Sequence, residues 1–449
     1  MNPQIALLFV LIFIFIAIYI EHKRAEDISG AVWIVAIWFL YIGSKGLGFF
    51  LNTQTTLEQG SLPDRYFLII LGLIAILILI KRNFPFIPAF KQNWPVTLII
   101  FYMLISVAWS KYPGMAFRRW GREAIALIIA LLLISEKNPI QTLTSALKKA
   151  IYAALPLSIV LIKYYPVYGR EYGRWTGEVM WTGIASQKNG LAMLCALSIL
   201  FFIWSFLKGK EKEKQFNSSI AISIDILMII LATYLMMGPR HTPTYSSTSF
   251  LALITGIIIM LSTMIASKKG KSLKKIIVIF AIIIIFTGIF MPFSGKLPSR
   301  TLPKLLNRSE TLTDRTQIWS SLIPYARKEL FFGYGYGGFW TTELRTQIAS
   351  HAHNGYLDTI LNIGIFGMLL FLLFVFTVLV KSLNLWHQGY NLEIFFITLI
   401  FIILIRNIAE VSLGNFISFF TGPLLWWSFI IQRFDPNQNK KKVFEIEIA

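Results

Sequence analysis

The chain is poor in charged residues and has almost no cysteine, and each deficit excludes a class of protein. Only 14% of its 449 residues are charged, whereas a soluble globular protein carries roughly 25%. The single cysteine, Cys195, lies in an apolar stretch, which excludes a disulfide framework and a thiolate metal site. No pair of carboxylates is arranged for glycoside hydrolysis. The rest of the chain is 56% hydrophobic.

The apolar residues are grouped in blocks of about 15–22, the length that crosses a hydrocarbon core of roughly 30 Å. Because lipid offers no hydrogen-bond partners to the backbone, such blocks must be helical. We therefore predict an all-α polytopic membrane protein in which residues 1–449 form a single integral membrane domain. The fifth block is short, so the chain has twelve or thirteen transmembrane helices. The candidate spans are Ile5–Ile20, Ala31–Leu51, Tyr66–Ile80, Val96–Trp109, Trp120–Ile134, Ile151–Tyr165, Leu191–Leu207, Ile220–Met237, Phe250–Ala266, Ile276–Phe290, Leu357–Val380, Leu392–Leu413 and Phe416–Ile431.

Lysine-rich segments set the orientation of these spans. Lys208–Lys214, Lys268–Lys275 and Asn439–Lys442 should all face the cytoplasm, and an even number of spans separates them. The N-terminus then lies outside with thirteen spans and inside with twelve. The formal net charge of +20 is attributed to basic loops facing anionic membrane lipid rather than to nucleic-acid binding.

Arginine is concentrated on the opposite, outward loops. The outward arginines are Arg65, Arg118, Arg119, Arg122, Arg170, Arg174, Arg240, Arg300, Arg308, Arg315, Arg327 and Arg345. A guanidinium group binds phosphate through a rigid two-point fork and does not lose its proton. We therefore predict an outward-facing site for a phosphorylated or otherwise anionic ligand. Contacts with lipid headgroups and surface ion pairs are the alternative.

The longest outward loop, Ser294–His353, is predicted to form a helical extracytoplasmic cap. Within it Thr313 or Asp314 can cap a helix whose first turn contains Arg315, and the free N–H groups there can bind an anion. A solvated Arg315, or one paired with Asp314, is the alternative. The glycines between Gly333 and Gly338 predict a tightly turned or flexible lid, and phosphate cradling is the alternative.

Two histidines precede the apolar span that begins at Leu357. A neutral imidazole of His351 or His353 can take a proton from a sugar hydroxyl, and Asp358 could orient the ring. The alternatives are satisfied interfacial histidines and a metal site using both of them.

A second polar cluster, Arg406 with Glu410, lies within the twelfth candidate span. Charges at that depth indicate an internal site, but their spacing also permits an ion pair that ties the bundle together. We favour the ion pair.

Several motifs together resemble the O-antigen ligase and Wzy-type polymerase superfamily. They are TDRTQIW before GYGYGGFW, the run His353–Asn354 followed by Gly364 and Gly367, and RWTGEVMWTGIASQKNGLA, which resembles the exopolysaccharide polymerase branch. With SSTSFLAL they span roughly 169–367.

The resemblance implies a membrane glycosyltransferase. Such an enzyme moves glycan from an undecaprenyl-type polyprenyl-diphosphate donor to an acceptor on the outer face of the bacterial plasma membrane, without a nucleotide, an obligatory metal or another cofactor. His353 matches the catalytic histidine, the general base, and Arg315 matches the essential arginine that holds the donor diphosphate. Further predicted residues are Arg174, Arg118, Arg119, Arg122, Lys188 and Arg240 for the diphosphate, with His351, Asn354 and Asp358 in support.

The chain departs from the family pattern at one point. Many ligases carry an arginine where this chain has Ser246 and Ser247, and Arg240 upstream is the candidate replacement. The departure favours a polymerase of surface polysaccharide over a ligase that transfers to lipid A–core or to protein, and a chain-length regulator protein is a further potential partner. A transporter or flippase of lipid-linked sugars is the alternative of another class. It would require paired inverted halves with matching broken helices, which the sequence does not indicate.

Overall fold

The computed structural model describes residues 1–25, 27–53, 60–173, 177–207, 218–239, 246–266, 271–294, 313–386 and 392–434. Nearly all regular structure in these ranges is helical. The α-helices are α1 (Pro3–Arg24), α2 (Ala31–Gly43), α3 (Leu47–Phe50), α4 (Leu62–Lys81), α5 (Phe86–Gln92), α6 (Trp94–Ile105), α7 (Pro113–Ile134), α8 (Pro139–Tyr164), α9 (Pro166–Gly169), α10 (Lys188–Leu207), α11 (Ser218–Met237), α12 (Ser247–Ala266), α13 (Lys271–Phe290), α14 (Thr313–Lys328), α15 (Thr342–Gln347), α16 (Gly355–Trp386), α17 (Leu392–Arg406) and α18 (Thr421–Ile430). Single 3₁₀ turns occupy Ser106–Trp109, Pro292–Ser294 and Ile431–Phe434, and a short antiparallel hairpin pairs β1 (Arg170–Tyr172) with β2 (Val179–Trp181).

Each of the thirteen predicted spans contains a helix. Among the described residues, eight helices are long and apolar enough to cross a membrane, and a ninth span results if the bent pair α5 and α6 is counted as one. The chain is therefore an all-α polytopic membrane protein, as its apolar blocks predict. Of the helices outside this set, α7 has 22 residues, long enough to span, whereas α2, α17 and α18 are shorter than a full span.

Two spans end earlier than the sequence predicts, and hydrogen bonds explain both ends. Helix α2 stops at Gly43 instead of Leu51, and beyond it the backbone N–H of Lys45 donates to Ile184 O at 2.6 Å, outside the helix. Helix α17 stops at Arg406 instead of Leu413. There the Asn407 side-chain oxygen accepts the backbone N–H groups of residues 412 and 413, each at 2.8 Å. An asparagine side chain that bonds to nearby backbone competes with helix continuation.

The fifth span is longer than predicted, because α7 begins at Pro113 rather than Trp120. Proline suits the first turn of a helix, where its missing N–H would have no partner. Arg118, Arg119 and Arg122 consequently lie in the first three turns of α7 rather than in a loop.

A polar network closes the other end of α7. Arg82 forms an ion pair with Glu136 at 2.6 Å and donates to Ser29, and Arg433 donates to the carbonyl oxygen of Glu136 at 3.0 Å. A helix of this length measures about 33 Å. Arg82 and Arg433, both predicted to be cytoplasmic, thus share the end of α7 opposite to Arg118.

Helix α16 is interrupted at Gly364, whose φ of 67° and ψ of −175° are not helical. The glycine-rich turn packs into this interruption: Tyr334 N–H donates to Leu361 O at 3.0 Å, and Ile365 N–H donates to Leu330 O at 2.9 Å. A Cβ on Gly364 would lie 2.1 Å from Phe331 O. The turn is therefore tightly docked on α16, and its backbone fills the break.

Candidate active site

The two histidines are positioned by the alanine between them. Ala352 is fully buried; its N–H donates to Asp358 Oδ1 at 3.1 Å, and its carbonyl accepts from Trp319 Nε1 at 2.9 Å. With the backbone held on both sides, the side chains of His351 and His353 are directed together, their ring centroids 4.0 Å apart. The sequence suggested that Asp358 orients an imidazole ring. In the structure Asp358 instead accepts from the backbone of this loop, and it therefore positions the histidines indirectly.

His353 adopts a backbone conformation that is uncommon for a side chain with a Cβ. Its φ is 49°, in the left-handed region, where strain of this kind is found at functional sites. Its N–H donates to His351 Nδ1 at 3.2 Å. Its own Nδ1 is buried and has no hydrogen-bond partner among the described residues.

Asn354 fixes the start of α16. Its side-chain oxygen accepts from Leu357 N–H at 2.8 Å, while its amide donates to Gly288 O at 3.0 Å and to Ile408 O at 3.1 Å. The residue is completely buried. Asn354 therefore joins α13, α16 and the turn after α17, and it supports the site without facing a ligand.

Arg315 approaches the histidines from the segment that precedes them in the chain. As predicted, it lies in the first turn of α14. Its Nη2 lies 3.5 Å from Glu410 Oε1, and the same oxygen accepts from Asn189 Nδ2 at 3.0 Å. The side chains of Arg315 and Glu410 are 14% and 4% exposed. Three segments far apart in sequence thus meet in one largely buried cluster.

The predicted ion pair between Arg406 and Glu410 is wrong. Among the described residues Glu410 pairs with Arg315 instead, because α17 ends at Arg406 and Glu410 falls in the following turn. Arg406 is 4% exposed, and its Nε and Nη1 have no hydrogen-bond partner in the described part of the chain. A buried guanidinium with unfilled donors indicates room for an anion.

The surroundings keep both histidines neutral. Burial lowers the pKa of His351 to about 3, with further lowering from His353, Arg345, Arg406 and Arg315. Burial also lowers the pKa of His353, where the negative charge of Glu410 raises it and Arg315 lowers it. A neutral imidazole can accept a proton, which is the requirement for a general base.

The donor set of the cluster has metal-like spacing but an unfavourable charge environment for a metal. One nitrogen of His351, one of His353 and one oxygen of Glu410 lie within 4.8 Å of one another. A divalent cation there would lie beside Arg315, which is 3.5 Å from the same carboxylate, and within the field of Arg406. This arrangement favours an anion.

The arginines of α7 form a separate region. Arg118, Arg119 and Arg122 border an open groove of about 650 Å³ that has apolar walls, including Leu68 and Ile125. Arg119 and Arg122 also line an adjoining polar cavity of about 270 Å³. Arg315 and His353 line neither of these two spaces, so the structure does not gather all predicted arginines at one point.

Two residues that line the polar cavity also act on the histidine loop. Arg345 lies close enough to His351 to lower its pKa, and Asp358 holds the backbone of Ala352. Trp340 also lines the cavity and donates to Asp358 Oδ1 at 2.8 Å. A path of polar groups therefore leads from the groove towards the imidazole rings.

The remaining predicted ligands are less informative. Lys188 is the half-buried first residue of α10, next to Asn189, which contacts Glu410. Arg174 and Arg240 lie outside the described residues, as do Lys208–Lys214 and Asn439–Lys442. Ser246, where many ligases have arginine, accepts from Ser249 N–H at 3.4 Å at the start of α12.

Sequence reasoning missed the contribution of three residues. Asn189 belongs to a quoted motif, but only its contact with Glu410 assigns it to the site. Glu410 was assigned to Arg406 by helical spacing. Arg345 was counted among the outward arginines without a specific place.

The fold and site together define a multi-pass membrane protein with a histidine–arginine centre. Residues 242–372 match the family model described as O-antigen ligase. The chain is also 22% identical over 294 residues to "Exopolysaccharide production protein ExoQ" of Rhizobium meliloti (strain 1021), covering 62% of this chain and 62% of that relative. Over these regions the chain is similar to O-antigen ligases and to a protein of exopolysaccharide production.

Proposed function

We propose that this protein is a glycosyltransferase that takes glycan from a polyprenyl-diphosphate donor and polymerises exopolysaccharide or another surface polysaccharide. The convergence of His353 and Arg315 in one buried cluster carries the proposal. The family match and the similarity to an exopolysaccharide production protein support it. Strict O-antigen ligation, with lipid A–core as acceptor, is the second candidate, because the matched family model is described as O-antigen ligase.

The chemistry needs two functions that the cluster can supply. His353 takes the proton of the acceptor hydroxyl while the anomeric C–O bond to the diphosphate breaks; a positioned base contributes about 10²–10⁴-fold. Arg315, with Arg406 behind it, stabilises the charge that develops on the departing diphosphate. The guanidinium groups provide the positive charge that a metal ion would otherwise supply, so we propose a metal-independent reaction.

The groove beside α7 suits the lipid part of a substrate. Its apolar walls can hold a polyprenyl chain, and Arg118, Arg119 and Arg122 at its border can bind a diphosphate. The adjoining polar cavity then leads sugar residues towards the histidines. Because this groove and Arg315 are separate, we assign them to different lipid-linked substrates, the groove to the acceptor and Arg315 to the donor.

We further propose that the protein resides in the bacterial plasma membrane with this site on the periplasmic side. Arg82 and Arg433 lie with Glu136 at the opposite end of α7 from Arg118, as expected if that end is cytoplasmic.

The deciding experiment replaces His353 by Ala in cells that lack the native protein. We expect surface polysaccharide to be lost while protein insertion and abundance are unchanged. The matched control is His22→Ala, since His22 is an exposed histidine on α1, and it should restore assembly fully. Normal assembly with His353→Ala would refute the catalytic assignment.

The lipids of the same cells distinguish the candidate functions. Single repeat units on the polyprenyl diphosphate indicate loss of a polymerase, and long lipid-linked chains indicate loss of a ligase. A transporter defect would instead leave the lipid-linked units on the cytoplasmic side, where an externally added glycosidase cannot reach them.

A further inference from the structure

Glu410 lies between Arg315 and the two histidines and has no short ion pair with any of them. Its distance of 3.5 Å from Arg315 Nη2 exceeds the 2.7–2.9 Å typical of a strong charge-assisted hydrogen bond. Its other neighbours are the two histidines, each with a nitrogen within 4.8 Å of a Glu410 oxygen. Asn189, at 3.0 Å, anchors the carboxylate between them.

A diphosphate at Arg315 would compete directly with Glu410. It offers several charged oxygens in the geometry that a guanidinium fork matches, whereas Glu410 offers one oxygen at long range. Displaced from Arg315, the Glu410 carboxylate still has Asn189 on one side. Two groups nearby gain from its charge: Arg406, whose field Glu410 already reaches, and His353, whose buried Nδ1 has no hydrogen-bond partner among the described residues.

We propose that Glu410 is a positioning residue that pairs with Arg315 in the empty site and with His353 once a diphosphate is bound. The inference rests on the proposed function and adds to it a switch that strengthens the base only when the donor is in place. The acceptor hydroxyl proton passes to His353, the acceptor oxygen bonds to the anomeric carbon, and the diphosphate leaves with the electron pair of its C–O bond. The carboxylate of Glu410 then faces the resulting imidazolium.

The two charged groups that affect the pKa of His353 have opposite effects, and the switch needs both. Arg315 from α14 lowers its pKa and Glu410 from the turn after α17 raises it. His351 from the same loop is itself held neutral by burial and by Arg345 and Arg406. Diphosphate binding neutralises Arg315 and releases Glu410, so both changes make His353 a stronger base.

The test uses the purified full-length protein and lipid-linked repeat units extracted from cells that lack it. Transfer is measured against pH, because the profile of kcat/KM reports the free enzyme and that of kcat reports the complex. In the wild type we expect the acid limb of kcat to lie about one pH unit or more above that of kcat/KM for the donor. In Glu410→Gln the two limbs should coincide.

The kinetic constants give a second readout. Glu410→Gln should lower kcat by about 10²-fold, at the lower end of the effect of a positioned base, while the donor KM stays the same or falls because Arg315 is released. The matched control is Glu343→Gln on α15, an exposed carboxylate, which should leave both constants and the pH profile unchanged. A purely structural role for Glu410 would not move the two acid limbs together.

A kcat within threefold of wild type in Glu410→Gln, or limbs that remain separated, would overturn the proposal. If that variant does not fold, Glu410→Asp is tested instead. Withdrawing the carboxylate by one methylene should reduce the pH difference between the acid limbs of kcat and kcat/KM, and an unchanged difference refutes the switch. Failure of the proposed function is distinguishable, because then the wild type would show no transfer that depends on His353.

Discussion

Replacing Arg315 by Lys is the sharpest test of the anion site. The substitution keeps the positive charge but replaces a two-point fork by a single ammonium group. Because the Arg315 side chain is only 14% exposed, water cannot substitute readily for a lost hydrogen bond. The geometry of the donors, and not the charge, is therefore what changes.

The magnitude follows from the loss of one of two bonds to a charged group. Such a bond is worth about 1.5–3 kcal/mol, which corresponds to about a 10- to 150-fold loss in kcat/KM for the donor. The matched control is Arg327→Lys, an exposed arginine in the last turn of the same helix, which should remain within twofold of wild type.

A second substitution separates geometry from charge. Arg315→Gln removes the positive charge that lowers the pKa of His353, so the acid limb of kcat/KM should shift upward. With Arg315→Lys the limb should stay in place. Both variants are assayed by the length of glycan formed on the lipid carrier over time. An Arg315→Lys protein with activity within threefold of wild type would refute the two-point clamp.

Three further predictions concern the base, the metal and the loop. Since the pKa of His353 is lowered from its ordinary value of 6.5, the base stays deprotonated below that pH, and kcat/KM should fall on acidification only below about pH 6.5; a fall beginning near pH 8 would contradict this. Dialysis against EDTA should leave transfer unchanged, and loss of activity restored by zinc would instead support a metal at His351, His353 and Glu410. Asp358→Ala should leave the Ala352 N–H unpaired and destabilise the protein by about 1–3 kcal/mol, measured as a lower melting temperature together with a lower kcat; an unchanged melting temperature would exclude this role.

In the proposed reaction the groove and the switch have different roles. Arg118, Arg119 and Arg122 border the groove proposed for a lipid tail, while Arg315 and Glu410 belong to the proposed catalytic centre. Trp340 and Asp358 lie between these regions and also hold the loop of His353. A substitution at the groove should therefore affect substrate binding more than the pH profile of transfer. A substitution of Glu410 should affect the pH profile more than substrate binding.

The sequence alone determined that the chain is an all-α polytopic membrane protein, and with the family resemblance it predicts His353 and Arg315 as the two principal residues. The lengths of the apolar blocks demand helices in lipid regardless of how those helices pack, because each block must satisfy its own backbone hydrogen bonds. The histidine pair before an apolar span and Arg315 at a helix start are local features, readable from neighbours along the chain. The resemblance to O-antigen ligases and polymerases then implies His353 as the base and Arg315 as the diphosphate ligand.

Only the tertiary structure decided which side chains share the site. Glu410 pairs with Arg315 rather than Arg406 because the Asn407 side chain ends α17, which the apolar pattern does not reveal. The α7 arginines lie apart from Arg315 because α7 begins early and presents them to a groove. Contacts between residues so far apart in sequence depend on where helices end and how they pack, and apolar composition leaves both undetermined.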